Sequence, residues 1–504
     1  MDDKMKWYAI PSYTMKCRLY LNNTQKELIE KSLNGLRIVY NSTLYDMKKE
    51  GGCTKQKKSE DGTIVHFPDF KYAASAEHLN KLREENPMIG YAKPYSLSGN
   101  NGIIQSDLKR MFSKIRENKT GNFGTGKSMP LEYIDYNELN FISKKHPRRS
   151  MSFQVKAKNI FLKEICDNKG DKTVNNKVLY IDLGKFKDEK FGVAKIRGWN
   201  TKIRFDSNGE VDFITWLSIN PAKDITITIS KDNCDDYWIC FKFSYTYNKQ
   251  KKVWQGIQVY KQTKNVLINE KVGLDVGKKH LISCSNDKIF KDGKVENKRF
   301  KSNESDHLKA LNRRLSRRFG WSNCNFRDKH KEDDTLLPSK RYIKTQKKVS
   351  KLHRKIARKR NLYNNEVSMK LVENYGFIGI ESLSVSGMFN DPRTEEQKDI
   401  NSKEFIPKRY IRRTNENTAD AAMGEILQMI KYKSEWYNRV CQEIGRYFPS
   451  SKRCHVCGYI KRDLTLKDRE WICPSCGTVH DRDENAAIGI EMEAWRIYTN
   501  KKAS

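Results

Sequence analysis

Two Cys-x-x-Cys pairs near the end of the chain constrain its local folding more than any other feature. Cys454 and Cys457 form the first pair, and Cys473 and Cys476 form the second after an interval of fifteen residues. Thiolates from two tight turns can surround one Zn²⁺ ion tetrahedrally, and this spacing is typical of such sites. Because sulfur fills all four positions, no coordination site remains for a substrate. The cysteines therefore predict a structural zinc ribbon over residues 448–480.

The charge of the chain favours a polyanionic partner. The 504 residues include 97 Lys and Arg but only 62 Asp and Glu, which gives a formal net charge of +35. Such a surplus repels itself in a compact fold, and nucleic acid neutralises it with release of counterions. An anionic membrane surface is the alternative, but no basic amphipathic helix with a Trp, Phe or Leu face stands apart from the core. We therefore predict nucleic-acid partners and no membrane.

Other features of the composition indicate a cytoplasmic protein. Residues 1–13 lack the apolar segment of a secretory signal, and no run of 18 apolar residues occurs. Twelve cysteines are too few for a disulfide framework in a chain of this length. Four of them lie in the two pairs and the others are scattered singly, as expected in a reducing compartment.

Hydrophobic periodicity predicts the main elements. Strict alternation predicts strands over 13–21 and 237–247, and helical spacing predicts a helix over 25–49, capped by Thr24 and Glu27. Residues 50–150 look mostly helical, whereas 151–247 are rich in β patterns, so the first strand is expected to complete a β-barrel with them. Further helices are predicted over 304–319, 339–374 and 418–446.

Three acids occupy positions where a lone charge is costly. Asp275 interrupts the apolar run Val-Gly-Leu-Asp-Val, and Glu381 directly follows Ile-Gly-Ile. Asp483 lies just before a predicted helix over 485–494, where a plain N-cap role is an equal alternative. Carboxylates that converge on a sheet can bind two Mg²⁺ or Mn²⁺ ions, which activate water and neutralise a scissile phosphate. The acids predict two-metal phosphodiester hydrolysis, with Asp481 as a rival for the third position.

Several segments together resemble one known family. They are Lys16–Tyr20, Gly273–Gly277, Ile380–Leu383, Tyr432–Tyr437, Phe448–Gly458 and Cys473–Ala487. In these segments the chain is similar to the TnpB family of transposon-encoded, RNA-guided DNA endonucleases, whose descendants are the compact type V CRISPR effectors. The likeness is most convincing over residues 265–490 and weak over 50–247.

The resemblance implies a nuclease that binds a guide RNA, recognises a short motif beside the target DNA and cuts that DNA. Its three RuvC acids fall on Asp275, Glu381 and Asp483, the last because the family's acid directly precedes x-Asn-Ala. The implied fold class is α+β multidomain, with an N-terminal wedge-like β-barrel, a helical insertion and a C-terminal RNase H-like (RuvC) α/β domain with an inserted zinc ribbon. A prokaryotic cytoplasmic protein, monomeric or homodimeric, is expected.

The expected domain boundaries follow. They are the first strand and helix of the barrel (1–49), a helical recognition insertion (50–150), the rest of the barrel (151–248), a linker (249–264), the RuvC domain (265–447) with a basic helical hairpin (300–374), the zinc ribbon (448–480) and the end of the RuvC domain (481–504).

The hairpin carries its own signal. Residues 340–360 hold eleven Lys and Arg and no acid, whereas a solvated helix face normally mixes both signs. We predict contacts to a guide–target heteroduplex through its backbone and shape. The predicted contact residues are Arg313, Arg314, Arg317, Arg318, Lys344, Lys347, Lys348, Lys351, Arg354, Lys355 and Arg358.

Gly121–Ser128 satisfies the P-loop pattern, but a polar helix over 106–118 precedes it and Pro130 follows it, so nucleotide hydrolysis is not predicted. A catalytically idle RNA-guided regulator and a guide-independent transposase or resolvase with the same acids remain as alternatives. The short segment after Asp483 and the enlarged N-terminal half favour a CRISPR effector slightly over a transposon-encoded TnpB protein.

Overall fold

The chain folds as two units, one formed by residues 11–259 and the other by residues 1–10 with 260–504. In the computed structural model, the described residues are 6–10, 12–48, 54–58, 64–68, 75–92, 141–142, 149–163, 178–199, 203–205, 209–248, 253–319, 339–383, 397, 415–416, 418–465 and 468–503. None of the described helices is long and apolar enough to cross a membrane.

The elements are numbered in chain order. The strands are β1 (Lys6–Ile10), β2 (Ser12–Tyr20), β3 (Thr54–Lys58), β4 (Ile64–Pro68), β5 (Ser150–Lys156), β6 (Ile160–Lys163), β7 (Val178–Asp182), β8 (Lys185–Phe186), β9 (Glu189–Lys190), β10 (Val193–Arg197), β11 (Asp224–Lys231), β12 (Tyr237–Asn248), β13 (Val253–Gly256), β14 (Val259–Thr263), β15 (Lys271–Asp275), β16 (His280–Cys284), β17 (Lys294–Glu296), β18 (Phe377–Glu381), β19 (Val440–Ile444), β20 (Glu470–Ile472) and β21 (Val479–Asp481). The helices are α1 (Asn23–Lys48), α2 (Ala76–Glu85), α3 (Phe213–Ile219), α4 (Ser305–Phe319), α5 (Lys340–Asn374), α6 (Met423–Trp436) and α7 (Arg482–Ala503).

An eight-stranded sheet dominates the unit of residues 11–259. Seven strands follow the order β5-β11-β12-β2-β10-β7-β6, and β13 pairs with β12 outside this path. The strand predicted over 13–21 is β2, and it lies between β12 and β10, so it joins the later β segment as predicted. Alternation in β2 buries Met15, Cys17 and Leu19 on one face and leaves the intervening polar residues on the other.

The prediction of a closed barrel is wrong. Among the described strands, β5 and β6 are the two edges of an open ladder, although they adjoin in sequence. A 3₁₀ turn over Ala157–Asn159 separates them, and its first two N–H groups donate to the carbonyls of Lys223 and Pro221 at 2.9 and 3.0 Å. Strands β5 and β6 are therefore joined through this turn but do not pair with each other.

The segments predicted around this sheet differ in detail. The capping box of α1 is formed by Asn22 and Gln25, whose side chains each accept a hydrogen bond from the other's backbone N–H at 2.8 and 3.0 Å. The predicted helical insertion 50–150 contains the β3–β4 hairpin as well as α2, and the predicted linker 249–264 contains β13 and β14. The helix predicted over 106–118 and the P-loop-like segment lie outside the described residues.

A mixed five-stranded sheet organises the other unit. Its order is β17-β16-β15-β18-β19, antiparallel from β17 to β15 and parallel from β15 to β19. One face packs against α5 and α6, where Val272, Leu274 and Ile380 are buried with Leu371 and Ile430. The other face packs against α7, in an apolar cluster that includes residues 377, 490 and 494. Burial on both faces explains why the central strands are almost continuously apolar.

The helix predicted over 418–446 is wrong in its second half. Helix α6 ends at Trp436, Asn438 takes a left-handed conformation with φ of 53°, and the chain then forms β19. Residues 440–444 pair in parallel with all five residues of β18. These residues are extended because they pair with a strand that is distant in the sequence. Such pairing cannot be predicted from the periodicity of local hydrophobic residues.

Candidate active site and zinc centre

Two glycines on neighbouring strands allow α7 to pack directly on the sheet. Gly273 in β15 pairs in register with Gly379 in β18. A Cβ at Gly273 would lie 2.1 Å from the carbonyl oxygen of Ala487, and one at Gly379 would lie 2.8 Å from the Cβ of Ala494. Any larger residue would push the helix away. The glycines therefore set the distance between the sheet and the helix that carries Asp483.

The three predicted acids lie near one another at this junction, although among the described residues only the four cysteines form a ready cluster of metal ligands. Leu274 pairs with Ile380 in parallel register, so the next residues, Asp275 and Glu381, emerge side by side at the carboxyl ends of their strands. Both acids lie two residues after a glycine and thus on the face that packs against α7. Asp483 precedes Ala487 by one helical turn, which places it on the side of α7 that contacts Gly273.

The pKa of Asp275 reflects the nearby charges of the other two acids. Burial, together with the carboxylates of Asp483 and Glu381, raises the pKa of Asp275 to about 7, while Arg482 opposes them. Burial also raises the pKa of Glu381. A buried carboxyl group whose ionisation is disfavoured by two neighbouring carboxylates requires a bound cation or a proton. The arrangement is therefore suited to bind divalent cations.

Asp481 has a different role. Helix α7 begins at Arg482, and Asp481 caps it by accepting hydrogen bonds from the N–H groups of Asp483 and Glu484 at 2.9 and 3.0 Å. Lys294 Nζ lies 2.9 Å from its other oxygen. Burial raises the pKa of Asp481, but Lys294 and the backbone N–H groups lower it more, so the net shift is downward. The N-cap interpretation of Asp483 is thus wrong, as is the predicted helix start at residue 485.

Cations border the acids. Arg469 lies on the zinc ribbon, and its Nη1 is 3.4 Å from Asp483 Oδ1. With Lys278, Lys279 and Arg299, Arg469 lines a cavity of about 310 Å³ that Asp420 also borders. The sequence patterns did not single out these residues, although Lys278 and Lys279 follow Asp275 by only three and four positions. Such a cavity can hold a phosphate group close to the carboxylates.

The four predicted zinc ligands lie together. Their sulfur atoms are all within 4.8 Å of one another, with 3.7 Å between Cys454 and Cys476 and 3.5 Å between Cys457 and Cys473. Tetrahedral Zn–S bonds of about 2.3 Å require S···S separations of about 3.8 Å. Gly458 and Gly477 take φ of 78° and 71°, as the two tight turns need. The donor set and spacing fit Zn²⁺.

Two histidines and an asparagine connect the zinc centre to α7. His480 Nε2 is 3.1 Å from Cys454 Sγ, and its ring packs 4.6 Å from that of Trp471. Asn485 Oδ1 accepts a hydrogen bond from the backbone N–H of His455 at 3.0 Å, and its amide donates to Arg453. The sequence assigned no role to either histidine. The contacts hold the first turns of α7, and hence Asp483, against the ribbon.

Two helices, α4 and α5, lie within the segment predicted as a basic hairpin. Helices α4 and α5 pack through Leu308, Leu311, Leu352 and Ile356. Ten of the eleven predicted contact residues are exposed, and Arg354 is half-buried. Some are engaged within the protein: Lys355 Nζ bonds to Glu304 at 3.1 Å, and Arg318 donates to the carbonyl of Arg341 at 3.1 Å. The hairpin therefore presents a strongly cationic surface to solvent.

Comparisons with known proteins cover parts of the chain. The OrfB_IS605 family, described as a probable transposase, matches residues 244–391, and the Cas12f1-like TNB domain matches residues 424–490. A helix-turn-helix domain of the OrfB_IS605 type matches residues 13–55, whose described residues form β2, α1 and the start of β3. These matches confirm the resemblance to TnpB proteins and type V effectors.

Individual proteins that match parts of the chain carry names that fit these family matches. A Streptomyces pristinaespiralis protein named "Putative RNA-guided DNA endonuclease" is 34% identical over 147 residues, which are 29% of this chain and 31% of that protein. The Escherichia coli K12 protein InsQ, with the same description, is 26% identical over 44% of this chain and 48% of its own length. The chain thus matches less than half the length of either relative. A structure titled as a Cas12f1-sgRNA-target DNA complex covers 95% of this chain and 98% of its own at 14% identity, with a TM-score of 0.25 that is too low to support an argument.

Proposed function

We propose that this relative of the TnpB proteins and type V effectors is an RNA-guided DNA endonuclease that hydrolyses phosphodiester bonds in a RuvC-type site. The observation that carries the proposal is the proximity of Asp275 to Glu381 and Asp483, whose charges raise its pKa, where α7 packs on β15 and β18. The mixed sheet, with an antiparallel half and a parallel half, supports an RNase H-like domain. The intact acid set argues against an idle regulator.

In this proposal the three carboxylates are the ligands of two Mg²⁺ or Mn²⁺ ions. Bound there, the ions would supply an activated water and neutralise charge on the scissile phosphate. The protein supplies the geometry: paired glycines set the helix-to-sheet distance, and Asp481 fixes the start of α7. Lys278, Lys279 and Arg469 would bind the flanking phosphates of the DNA strand.

The basic surface of α4 and α5 would bind the guide RNA and the target DNA. The exposed cations of α4 and α5, chiefly Arg313, Arg314, Arg317, Lys344, Lys348, Lys351 and Arg358, would contact the backbone of a guide–target heteroduplex. Zinc bound by the four cysteines would hold the ribbon folded and, through Asn485, keep α7 in place.

Protons and divalent cations should compete for Asp275. Because its pKa is about 7 without metal, we expect the affinity for Mg²⁺ to rise from about pH 6 to about pH 8, with proton release on binding. The same raised pKa predicts that the metal-free fold loses stability as pH rises towards 7. Calorimetric titration in two buffers of different ionisation enthalpy measures the release. An affinity that is constant across this range, with no proton released, would remove Asp275 from the ligand set.

The function is tested by programmed cutting. RNA that co-purifies with the protein is sequenced, its guide segment is replaced by a chosen sequence, and plasmids with and without the matching target beside a randomised flank are incubated with Mg²⁺. We expect cutting only of matched plasmids and only when RNA is present. Cutting without RNA would favour the guide-independent nuclease, and RNA-dependent binding without cutting would favour the regulator.

A further inference from the structure

The outward face of the sheet in the unit of residues 11–259 carries aromatic rings among cations. Strand pairing arranges them in two rows. Trp238, Arg18 and Arg197 form the first row across β12, β2 and β10. Tyr20, Lys195, Tyr180 and Phe161 form the second row across β2, β10, β7 and β6. We call these seven residues, together with Lys16 beside Trp238, the aromatic–basic face.

The rings and cations of this face contact one another. Lys16 Nζ lies 4.9 Å from the centroid of the Trp238 ring, and the Arg18 guanidinium lies 5.2 Å from the same centroid and 5.7 Å from that of Tyr20. The rings of Phe161 and Tyr180 are stacked, 6.4 Å apart at 20°. The three cation-to-ring distances are within the range of cation–π contacts, so the rings of Trp238 and Tyr20 are held by neighbouring cations.

Packing within the core does not account for these rings. They alternate with the buried residues of their strands and lie on the opposite face, with Tyr20 46% exposed. The indole N–H of Trp238 donates to Asp232 at 3.0 Å, which anchors the edge of its ring. Arg18 pairs with Asp236, yet its buried Nε has no hydrogen-bond partner among the described residues. The Arg18 side chain is nevertheless 28% exposed, so the rest of its guanidinium can contact an anion.

We propose that the aromatic–basic face binds unpaired nucleotides of a single-stranded nucleic acid. Bases would stack on Trp238, Tyr20 and Tyr180, and phosphates would contact Arg18, Arg197 and Lys195. Rings that alternate with cations are the usual surface for single strands, because every base has a π face and every linkage a charge. A duplex is a poor fit, since its bases are already stacked on one another and hidden from such rings. This site is separate from the carboxylate cluster and requires no cutting.

Full-length protein freed of RNA would be titrated with labelled single-stranded RNA and DNA of about 12 nucleotides and with a duplex of the same length. We expect Trp238→Ala and Tyr20→Ala to weaken single-strand binding about 5- to 150-fold each. Duplex binding, which relies on cations elsewhere, should change little. Tyr20→Phe should bind as the wild type does, and so should Tyr45→Ala, which removes another exposed tyrosine from α1 in the same unit. The ratio of RNA to DNA affinity in the wild type tells which strand the face prefers.

Photocrosslinking of the wild-type protein to the same oligonucleotides, mapped by mass spectrometry, gives a measurement that needs no variant to fold. Crosslinks to the peptides of Tyr20 and Trp238 would support the site. Crosslinks confined to other peptides, or alanine variants that bind single strands as tightly as the wild type, would overturn it. Single-strand binding at this face without programmed cutting would refute only the nuclease, and programmed cutting with undisturbed variants would refute only this face.

Discussion

Replacing Asp483 with Asn is expected to abolish DNA cutting, whereas the same change at Asp481 should leave cutting nearly intact. Asp483 shares its surroundings with Asp275, as the pKa of Asp275 shows, and would be a direct metal ligand. Loss of a group that only orients a ligand costs 10–100-fold, so loss of a ligand should lower the cutting rate by more than about 10²-fold. Single-turnover cutting of a matched plasmid measures the effect.

Asp481→Asn is the matched control because it changes a carboxylate two residues away. Asn caps helices about as well as Asp, so the cap of α7 should persist. The ion pair with the partly exposed Lys294 is lost, at a cost of at most about 1 kcal/mol. Retained cutting in Asp483→Asn with lost cutting in Asp481→Asn would exchange the two assignments.

Replacing Cys473 with Ser should remove zinc and unfold the ribbon. Cys473 is fully buried within the four-sulfur cluster, and structural zinc sites contribute about 10–16 kcal/mol of apparent binding free energy. Without the ribbon, Asn485 loses its contacts with Arg453 and His455, so α7 should loosen and cutting should fall as well. Elemental analysis gives the zinc content, and limited proteolysis detects cleavage within residues 448–480.

Cys441→Ser is the control for this change. Cys441 is a partly buried cysteine of β19 outside the four-sulfur cluster. This variant should keep one zinc ion per chain and an intact ribbon. Full zinc content and an uncut ribbon in Cys473→Ser would contradict the four-cysteine site.

Local patterns predicted much of the site. The Cys-x-x-Cys spacing identified all four sulfur atoms because a tetrahedral ion demands neighbouring turns. Asp275 and Glu381 stood out because a charge at the end of an apolar strand is costly. The glycine two residues before each acid carried further information that the sequence analysis did not use. It marked the face on which a helix approaches the strands too closely for any side chain.

Long-range pairing could not be predicted in this way. Residues 440–444 look helical because their fate depends on pairing with β18, which lies far away in the chain. A closed barrel was expected, but β5 and β6 stay unpaired with each other, because a three-residue turn between them forms hydrogen bonds elsewhere. The choice between Asp481 and Asp483 as the third acid depends on where the first turn of α7 begins. That position depends on hydrogen-bond geometry, which the spacing of two acids in a sequence does not reveal.

Anomalous scattering from crystals soaked in Mn²⁺ would locate the ions directly. We predict two peaks about 4 Å apart, bounded by the carboxylates of Asp275, Glu381 and Asp483, with no ion on Asp481. In Asp483→Asn crystals at least one of these peaks should vanish. Peaks only at other sites, or no peak among the three acids at saturating Mn²⁺, would contradict the proposed two-metal nuclease.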